Sequence, residues 1–226
     1  MEFMPRLAPF VLLMFLGTAF LLGVSGLVFL YGLIRKNRLV IRAALLSGIG
    51  LAAAYFGLLL IVSAASHERV LAPGEQKYFC EIDCHEAYSV AGVTRAEGTA
   101  PNTTRYLVRV KVWFDKDTIS SRRPLDVPLY PNPRTAYIAD ASGSKYFPKD
   151  APQGLVAAFT RPIRPGESYL VDLAFNLPAA IVNPRLYITN GELPTRLLIG
   201  HENSPFHAKI WFALEPAAPT GRANPS

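Results

Sequence analysis

Cysteine and charged residues are scarce in this 226-residue sequence: it has two cysteines, and 18% of its residues are Asp, Glu, Lys or Arg. The short motifs of common catalytic sites are missing. There is no G-x-S-x-G nucleophile turn, no H-E-x-x-H zinc helix and no glycine-rich phosphate loop, and no pair of carboxylates stands in a recognisable acid–base arrangement. We therefore expect no enzymatic activity and no catalytic residues.

Concentrated positive charge is missing from most of the chain as well. The formal net charge is +6, but residues 1–66 hold five of the 23 Lys and Arg residues and one of the 17 acidic residues. The rest of the chain carries 18 basic and 16 acidic side chains and is nearly neutral. Binding to nucleic acid requires a concentrated basic face, so the sequence excludes this class of partner.

Two long uncharged runs, residues 10–34 and 43–65, fill the N-terminal part of the chain. An apolar helix of roughly 20 residues, rising 1.5 Å per residue, crosses a hydrocarbon core of about 30 Å. A cleaved signal peptide has an apolar region of about 7–15 residues that ends in small residues, and the first run is longer and lacks such an end. The sequence thus predicts a transmembrane hairpin in residues 1–66, with the lipid bilayer as its partner.

The loop between the two runs, residues 35–42, predicts the orientation of this hairpin. Only Arg6 precedes the first run, whereas the loop contains four basic residues, Arg35, Lys36, Arg38 and Arg42. Short loops rich in Lys and Arg stay on the cytoplasmic side of a membrane. We therefore expect a cytoplasmic loop, with both termini and the C-terminal part of the chain outside the cytoplasm.

Beyond the hairpin, short stretches of alternating hydrophobicity predict β-strands. The clearest is 105–115, and the side chains expected on its inner face are Tyr106, Val108, Val110, Val112 and Phe114. Another long strand is expected at 168–177, with Tyr169, Val171, Leu173, Phe175 and Leu177 on its inner face. Further extended segments are expected at 78–85, 88–90, 135–140, 144–147, 185–189, 195–199 and 208–214. Residues 92–104 and the proline-rich residues 118–134 are expected to form loops.

Seven or eight strands with no convincing soluble helix predict an all-β immunoglobulin-like sandwich over residues 78–215, preceded by the two-helix transmembrane hairpin. Residues 67–77 contain the turn signal Pro73-Gly74 and are expected to form a stalk between the two parts. Residues 216–226 are rich in Pro and Ala without periodicity, so we expect a disordered tail.

Three segments of the outer part carry a resemblance to a known family. They are the strand 106–114, the hairpin Tyr137-Ile138-Ala139-Asp140 with Gly143 and Tyr146, and the turn 164–167 leading into the strand that ends at Pro178. Over roughly residues 100–190 the chain resembles the DUF4352 family, immunoglobulin-like domains of bacterial exported and membrane-anchored proteins. The resemblance implies a bacterial exported or membrane-anchored protein, and the family has no settled activity that could be assigned to this chain. The two-span anchor and the cysteine pair depart from the family.

The cysteine pair, Cys80 and Cys84, has three interpretations. A disulfide requires Cα atoms within about 7 Å, whereas four steps along a regular strand cover roughly 13 Å, so the bond needs a local reversal of the chain. Glu81 and Asp83 disfavour a regular strand and favour such a reversal. We therefore expect a Cys80–Cys84 disulfide, as is usual for two cysteines outside the cytoplasm.

The second interpretation is a copper site, in which both thiolates bind the metal together with His85, His201 or His207. A two-span anchor with an outer β domain resembles cytochrome oxidase subunit two, whose copper site uses a C-x-x-x-C pair. Tyr88 and Ala91 stand where that family has its His and Met ligands. The third interpretation is covalent haem c on the C-x-x-x-C-H motif, with His85 as axial ligand.

The sequence as a whole favours a non-enzymatic protein of the bacterial inner membrane, with both termini in the periplasm and without a cofactor. Its immunoglobulin-like domain would bind or brace another envelope or membrane-complex component. The alternative is a copper or redox carrier, or an accessory subunit of a membrane electron-transfer complex, that uses Cys80, Cys84 and a nearby histidine.

Overall fold

The computed structural model describes residues 8–79, 85–98, 100–119, 123–190 and 193–214. The described chain forms two compact units. The first combines the N-terminal residues up to His67 with residues 192–209, and the second contains residues 68–191 and the residues from Ile210 onward. The chain therefore passes from one unit to the other three times.

The first unit contains two long helices, α1 (Ala8–Ile34) and α2 (Arg38–Ala64). Asn37 caps α2, because its side chain accepts hydrogen bonds from the backbone N–H groups of Leu39 and Val40. The hydroxyl of Ser25 donates to the carbonyl of Ala44 at 2.7 Å, which joins the two helices near the loop. Both helices are long and apolar enough to span a membrane.

The second unit is a β-sandwich of two sheets. The strands in chain order are β1 (Arg69–Leu71), β2 (Lys77–Phe79), β3 (Glu86–Glu97), β4 (Thr103–Phe114), β5 (Thr135–Ala139), β6 (Lys145–Tyr146), β7 (Ser168–Pro178), β8 (Arg185–Thr189) and β9 (Ile210–Ala213). One sheet has the order β1-β9-β8-β5-β6, and the other has the order β2-β3-β4-β7.

The strand order is that of an immunoglobulin fold. The set β3-β4-β7 corresponds to immunoglobulin strands A, B and E, and the set β6-β5-β8-β9 corresponds to strands C′, C, F and G. Two short strands are added to this arrangement. β1 pairs in parallel with β9, and β2 pairs antiparallel with β3. The predicted fold class is therefore confirmed.

The core lies between the two sheets and is built by strict alternation along the long strands. In β4 the five predicted inner side chains, Tyr106, Val108, Val110, Val112 and Phe114, are all buried in one cluster. On β7 the cluster takes Val171, Leu173, Phe175 and Leu177. These two assignments confirm the faces predicted from the sequence.

The turns of the predicted hairpins also occur where the sequence places them. Gly143, between β5 and β6, has φ 85°, and Gly166, directly before β7, has φ 82°. Glycine adopts this left-handed conformation without the steric cost that a Cβ atom brings. The proline-rich segment 118–134 contains no strand among its described residues, and Leu129 forms an isolated bridge with Ile163.

Three local predictions were wrong. The expected loop at 92–104 is mostly strand, since β3 continues to Glu97 beyond a bulge between Val90 and Gly92 and pairs with β4 throughout. The expected strand at 195–199 is replaced by the 3₁₀ helix Leu193–Leu197. The expected stalk at 67–77 contains β1 and the first residue of β2, so it belongs to the sheets. The predicted tail, 216–226, lies outside the described residues.

We predict that Val110→Asp unfolds the sandwich, whereas Lys111→Asp is tolerated. Val110 is fully buried in the core and Lys111 is exposed on the next position of the same strand. An unpaired buried carboxylate costs several kcal/mol, against a total stability of about 5–15 kcal/mol. The measurement is thermal unfolding of both full-length variants in detergent. Equal midpoints would show that the two faces of β4 are assigned the wrong way round.

Candidate functional site

The predicted cysteine site, Cys80 and Cys84, lies outside the described residues. The strands that flank it are described: β2 and β3 run antiparallel, with Phe79 opposite Glu86. The disulfide itself stays a prediction.

His85, the first histidine of the copper and haem interpretations, is buried at the start of β3. Its ring stacks on Phe114 with centroids 5.5 Å apart, and its Nδ1 atom lies 2.7 Å from the Thr118 hydroxyl. Its backbone carbonyl accepts a hydrogen bond from Asp115 N–H. These contacts give His85 a structural role in holding the segment after β4 against the core.

His201 and His207 belong to the helix unit rather than to the sandwich unit that contains His85. His201 is buried and its Nδ1 accepts a hydrogen bond from Asn203 N–H at 3.1 Å, while Nδ1 of His207 donates to the carbonyl of Ala208 at 2.7 Å. Within the described ranges, no group of three or more His, Cys, Asp or Glu side chains could hold a metal ion.

The most unusual polar feature of the sandwich is a buried ion pair between its two sheets. Glu86, on β3, is 3% exposed, and Arg134, directly before β5, is fully buried. Arg134 Nη2 donates to Glu86 Oε2 at 3.0 Å, and the hydroxyl of Tyr88 donates to the other carboxylate oxygen. The guanidinium also lies over the ring of Phe79, 4.7 Å from its centroid. We call these four side chains the buried ion-pair cluster.

Lys77 makes a second polar connection between the sheets. It lies on β2, in the four-stranded sheet, and its Nζ donates to the carbonyls of Ile188 at 2.7 Å and Ile210 at 3.3 Å, which belong to the five-stranded sheet. The ammonium group also lies 4.6 Å from the ring centroid of Tyr187. Lys77 is buried, so carbonyl and aromatic contacts replace the water that it loses.

Burial dominates the electrostatics of the tyrosines around this core. The pKa of Tyr88 is raised well above its usual value, first by burial and then by the negative charge of Glu86. Burial also raises the pKa of Tyr169, whose hydroxyl donates to the carbonyl of Phe159. Neither tyrosine is suited to act as a base at neutral pH, because the phenolate is strongly disfavoured. Both tyrosines are therefore held in the neutral form and do not exchange protons at neutral pH.

A smaller aromatic cluster lies on the opposite face of the five-stranded sheet. The rings of Tyr137, Tyr187 and Trp211, from β5, β8 and β9, contact one another with centroids 5.1–6.2 Å apart. Trp211 Nε1 donates to Glu68 Oε2, and the Arg185 guanidinium lies 5.0 Å from the Trp211 ring centroid. This outer face is therefore closed by aromatic and cationic side chains of the same unit.

In the helix unit, residues 193–209 pack against both helices, and we call them the docked loop. The hydroxyl of Tyr55 on α2 donates to the carbonyl of Leu197 at 2.8 Å. Ile199 packs with Tyr55 and Leu59 in an apolar cluster that Val11, Met14, Phe15 and Val62 border. The N–H of Ala208 donates to the hydroxyl of Ser66 at 2.7 Å. The loop between β8 and β9 is thus attached to the ends of the helices that lie away from the basic loop.

Neither the ion-pair cluster nor the docked loop was predicted from the sequence. The ion pair had a signal: Glu86, Tyr88 and Val90 share one face of β3, and Arg134 shares a face with Ala136 and Ile138. Alternation therefore places the acid Glu86 of β3 and the base Arg134, directly before β5, at inward positions. The docked loop had no comparable signal, because Tyr55 and Leu197 are 142 residues apart in the chain.

We predict that Glu86→Gln lowers the stability of the sandwich by roughly 3–5 kcal/mol, because it leaves the buried guanidinium of Arg134 without a carboxylate. Chemical unfolding of the full chain in detergent measures this loss.

The matched control is Asp172→Asn, which removes the carboxylate from the half-exposed pair with Arg109. This exposed pair is screened by water, so its loss should leave the unfolding midpoint close to that of the unchanged protein. Similar losses for both variants would refute the special role of the buried pair.

No known protein family matches this sequence, and no curated protein does so either. Two solved structures are similar in fold. An uncharacterised β-sandwich protein from Clostridium difficile 630 has 10% sequence identity and a TM-score of 0.36, covering 66% of this chain and 96% of its own. The secreted protein MPT63 from Mycobacterium tuberculosis has 11% identity and a TM-score of 0.39, covering 67% of this chain and 99% of its own. Membership of the DUF4352 family stays a prediction, and the two sheets of this structure support the β-sandwich alone.

Proposed function

We propose that this chain is a non-enzymatic membrane protein whose helix hairpin anchors an immunoglobulin-like domain on the periplasmic side of a bacterial inner membrane. There the domain binds or braces another protein of the envelope or of a membrane complex. The observation that carries this proposal is the pair of long helices that expose apolar side chains on nearly all sides.

The exposed surface of α1 supports membrane anchoring. Phe20, Leu21 and Leu33 are 69%, 52% and 48% exposed, and at 3.6 residues per turn they lie on three different sides of α1. A helix of a water-soluble protein buries one apolar stripe and presents polar residues elsewhere. A continuous apolar surface of this size needs a cover, and a bilayer supplies it.

The basic loop supports the proposed orientation. Arg35, Lys36 and Arg38 are exposed in the short connection between the helices, and Arg42 is exposed one turn later. Four cations at one end of a helix hairpin favour the cytoplasmic side of a bacterial inner membrane. The sandwich, which follows the other end of α2 in the chain, then lies in the periplasm.

An open sheet edge supports the binding of a protein partner. β7 is the last strand of its sheet, is 11 residues long, and pairs with β4 without a bulge. In an antiparallel ladder alternate residues point their backbone groups outward, and here those residues include Leu170, Asp172 and Ala174. Lys149 N–H donates to the Ala174 carbonyl from the open side.

Among the described residues, no backbone group outside the sheet bonds to Leu170, whose side chain is 57% exposed. An extended segment of a partner could therefore add a strand along this half of β7, with backbone hydrogen bonds for affinity and Leu170 for specificity.

We predict the topology as follows. A reporter fused after Leu214 that is active only outside the cytoplasm will be active, and a reporter placed in the loop after Asn37 will not, because the four basic residues hold the loop inside. The reverse result, with a cytoplasmic reporter active after Leu214, would refute the proposed orientation and with it the periplasmic function.

We predict that the photo-reactive residue p-benzoylphenylalanine at Leu170 forms a discrete protein adduct when the full chain is irradiated in its native membranes. Leu155 has the same exposure, 57%, but does not lie on an edge strand, so a probe there is the matched control. Mass spectrometry identifies the adduct. Absence of an adduct at Leu170, or equal adducts at both positions, would argue against a partner strand along β7.

A further inference from the structure

We propose that the docked loop is a second membrane anchor, which places Leu197 and Phe206 at the boundary between headgroups and acyl chains of the outer leaflet. The partner of this surface is phospholipid. The inference rests on the proposed function, since it requires α1 and α2 to span the bilayer, and it adds a lipid contact that a helix hairpin alone does not need.

The contacts of the loop with α2 fix its depth relative to that helix. About 20 helical residues cross the hydrocarbon, so an inner boundary after Arg38 or after Arg42 places the outer boundary between about Leu58 and Val62. Tyr55 then lies about 5–10 Å below that boundary. Because the Tyr55 hydroxyl bonds to the carbonyl of Leu197, this part of the loop lies at the depth typical of interfacial segments.

Two apolar side chains of the docked loop point away from the protein. Phe206 is 84% exposed and Leu197 is 37% exposed. Phe206 also has φ 63°, a conformation that is a genuine outlier for a bulky residue other than glycine. The backbone conformation of Phe206 is strained, and the exposure of its ring to water is unfavourable. Acyl chains around the ring remove the cost of exposure and give the side chain a reason for its outward direction.

The backbone of the docked loop suits a poorly hydrated environment. Successive turns satisfy its groups internally: His201 N–H donates to Leu198, Ser204 N–H to His201, and His207 N–H to Ser204. Two side chains also bond within the loop, since Asn203 donates to the Thr195 hydroxyl and Ser204 to the carbonyl of Leu198. Irregular backbone near the hydrocarbon requires such satisfaction, because water is not there to supply it.

The composition of the outward side also fits phospholipid. Two pairs of neighbouring residues in the loop are exposed, Arg196 with Leu197 and Pro205 with Phe206. A cation next to apolar side chains can bind a headgroup phosphate while its neighbours enter the acyl region. The loop also packs directly on Tyr55 and Leu59 of α2, so it lies beside a helix that the proposed bilayer surrounds.

The test uses the purified full-length chain with p-benzoylphenylalanine at position 206, reconstituted into vesicles of phosphatidylethanolamine and phosphatidylglycerol and irradiated. We expect a mass increase of one phospholipid, at a yield within about threefold of that from the same probe at Leu16, an exposed position on α1. A probe at Leu170 of the sandwich gives the background, and the adduct at 206 should exceed it about tenfold.

The outcomes separate this inference from the proposed function on which it rests. Lipid adducts at Leu16 but none at 206 would overturn the second anchor and leave the membrane hairpin standing. A covalent dimer at 206 in place of a lipid adduct would also overturn it, because the surface would then join two copies of the chain. Absence of lipid adducts at both positions would overturn the membrane anchor itself, and the second anchor with it.

Discussion

The ion pair between Glu86 and Arg134 is the constraint on which the sandwich depends. The two charges come from opposite sheets and meet in the core, where an unpaired charge is far less tolerable than an apolar side chain. A one-residue slip of β3 would turn Glu86 to the outer face and leave Arg134 buried without its carboxylate. A buried ion pair adds little net stability compared with apolar packing, but this one strongly disfavours other registers of β3 against β4, the strand with which β3 pairs. Lys77 also favours the native arrangement of the strands. Its bonds to the carbonyls of β8 and β9 form only when β2 packs against the five-stranded sheet.

The sequence was most informative where one local pattern decided the outcome. The inner faces of β4 and β7 followed from alternation, and the turns at Gly143 and Gly166 followed from glycine. Local patterns failed where a distant partner decided. Residues 92–97 are small and polar and suggested a loop, yet they form a strand because β4 offers a continuous ladder opposite them. The buried ion pair lay within reach of the same alternation, but its partners are 48 residues apart and only the fold shows that they meet.

The docked loop shows the limit of alternation most clearly. Residues 195–199 suggested a strand, but Leu198 and Ile199 are neighbours and both are buried. A strand would point them to opposite faces, whereas the 3₁₀ turn that ends at Leu197 lets Ile199 reach Tyr55 and Leu59 on α2. The apolar surface that stabilises this conformation belongs to a helix more than 130 residues earlier in the chain. No window of local sequence contains that information.

Because the β8–β9 loop packs on the helices, only part of the surface of the domain remains for a partner. In an immunoglobulin fold this is the connection between strands F and G, one of the loops with which antibody domains bind their ligands. Here it packs with the helices through the bond from Tyr55 to the Leu197 carbonyl and the cluster around Ile199, so these groups are not available to a protein partner. The outer face of the five-stranded sheet is likewise closed by Tyr137, Tyr187 and Trp211 with their cations. Among the described strands, the long and regular β7 keeps an open edge near Leu170, and this supports the proposed strand addition there over recognition through loops.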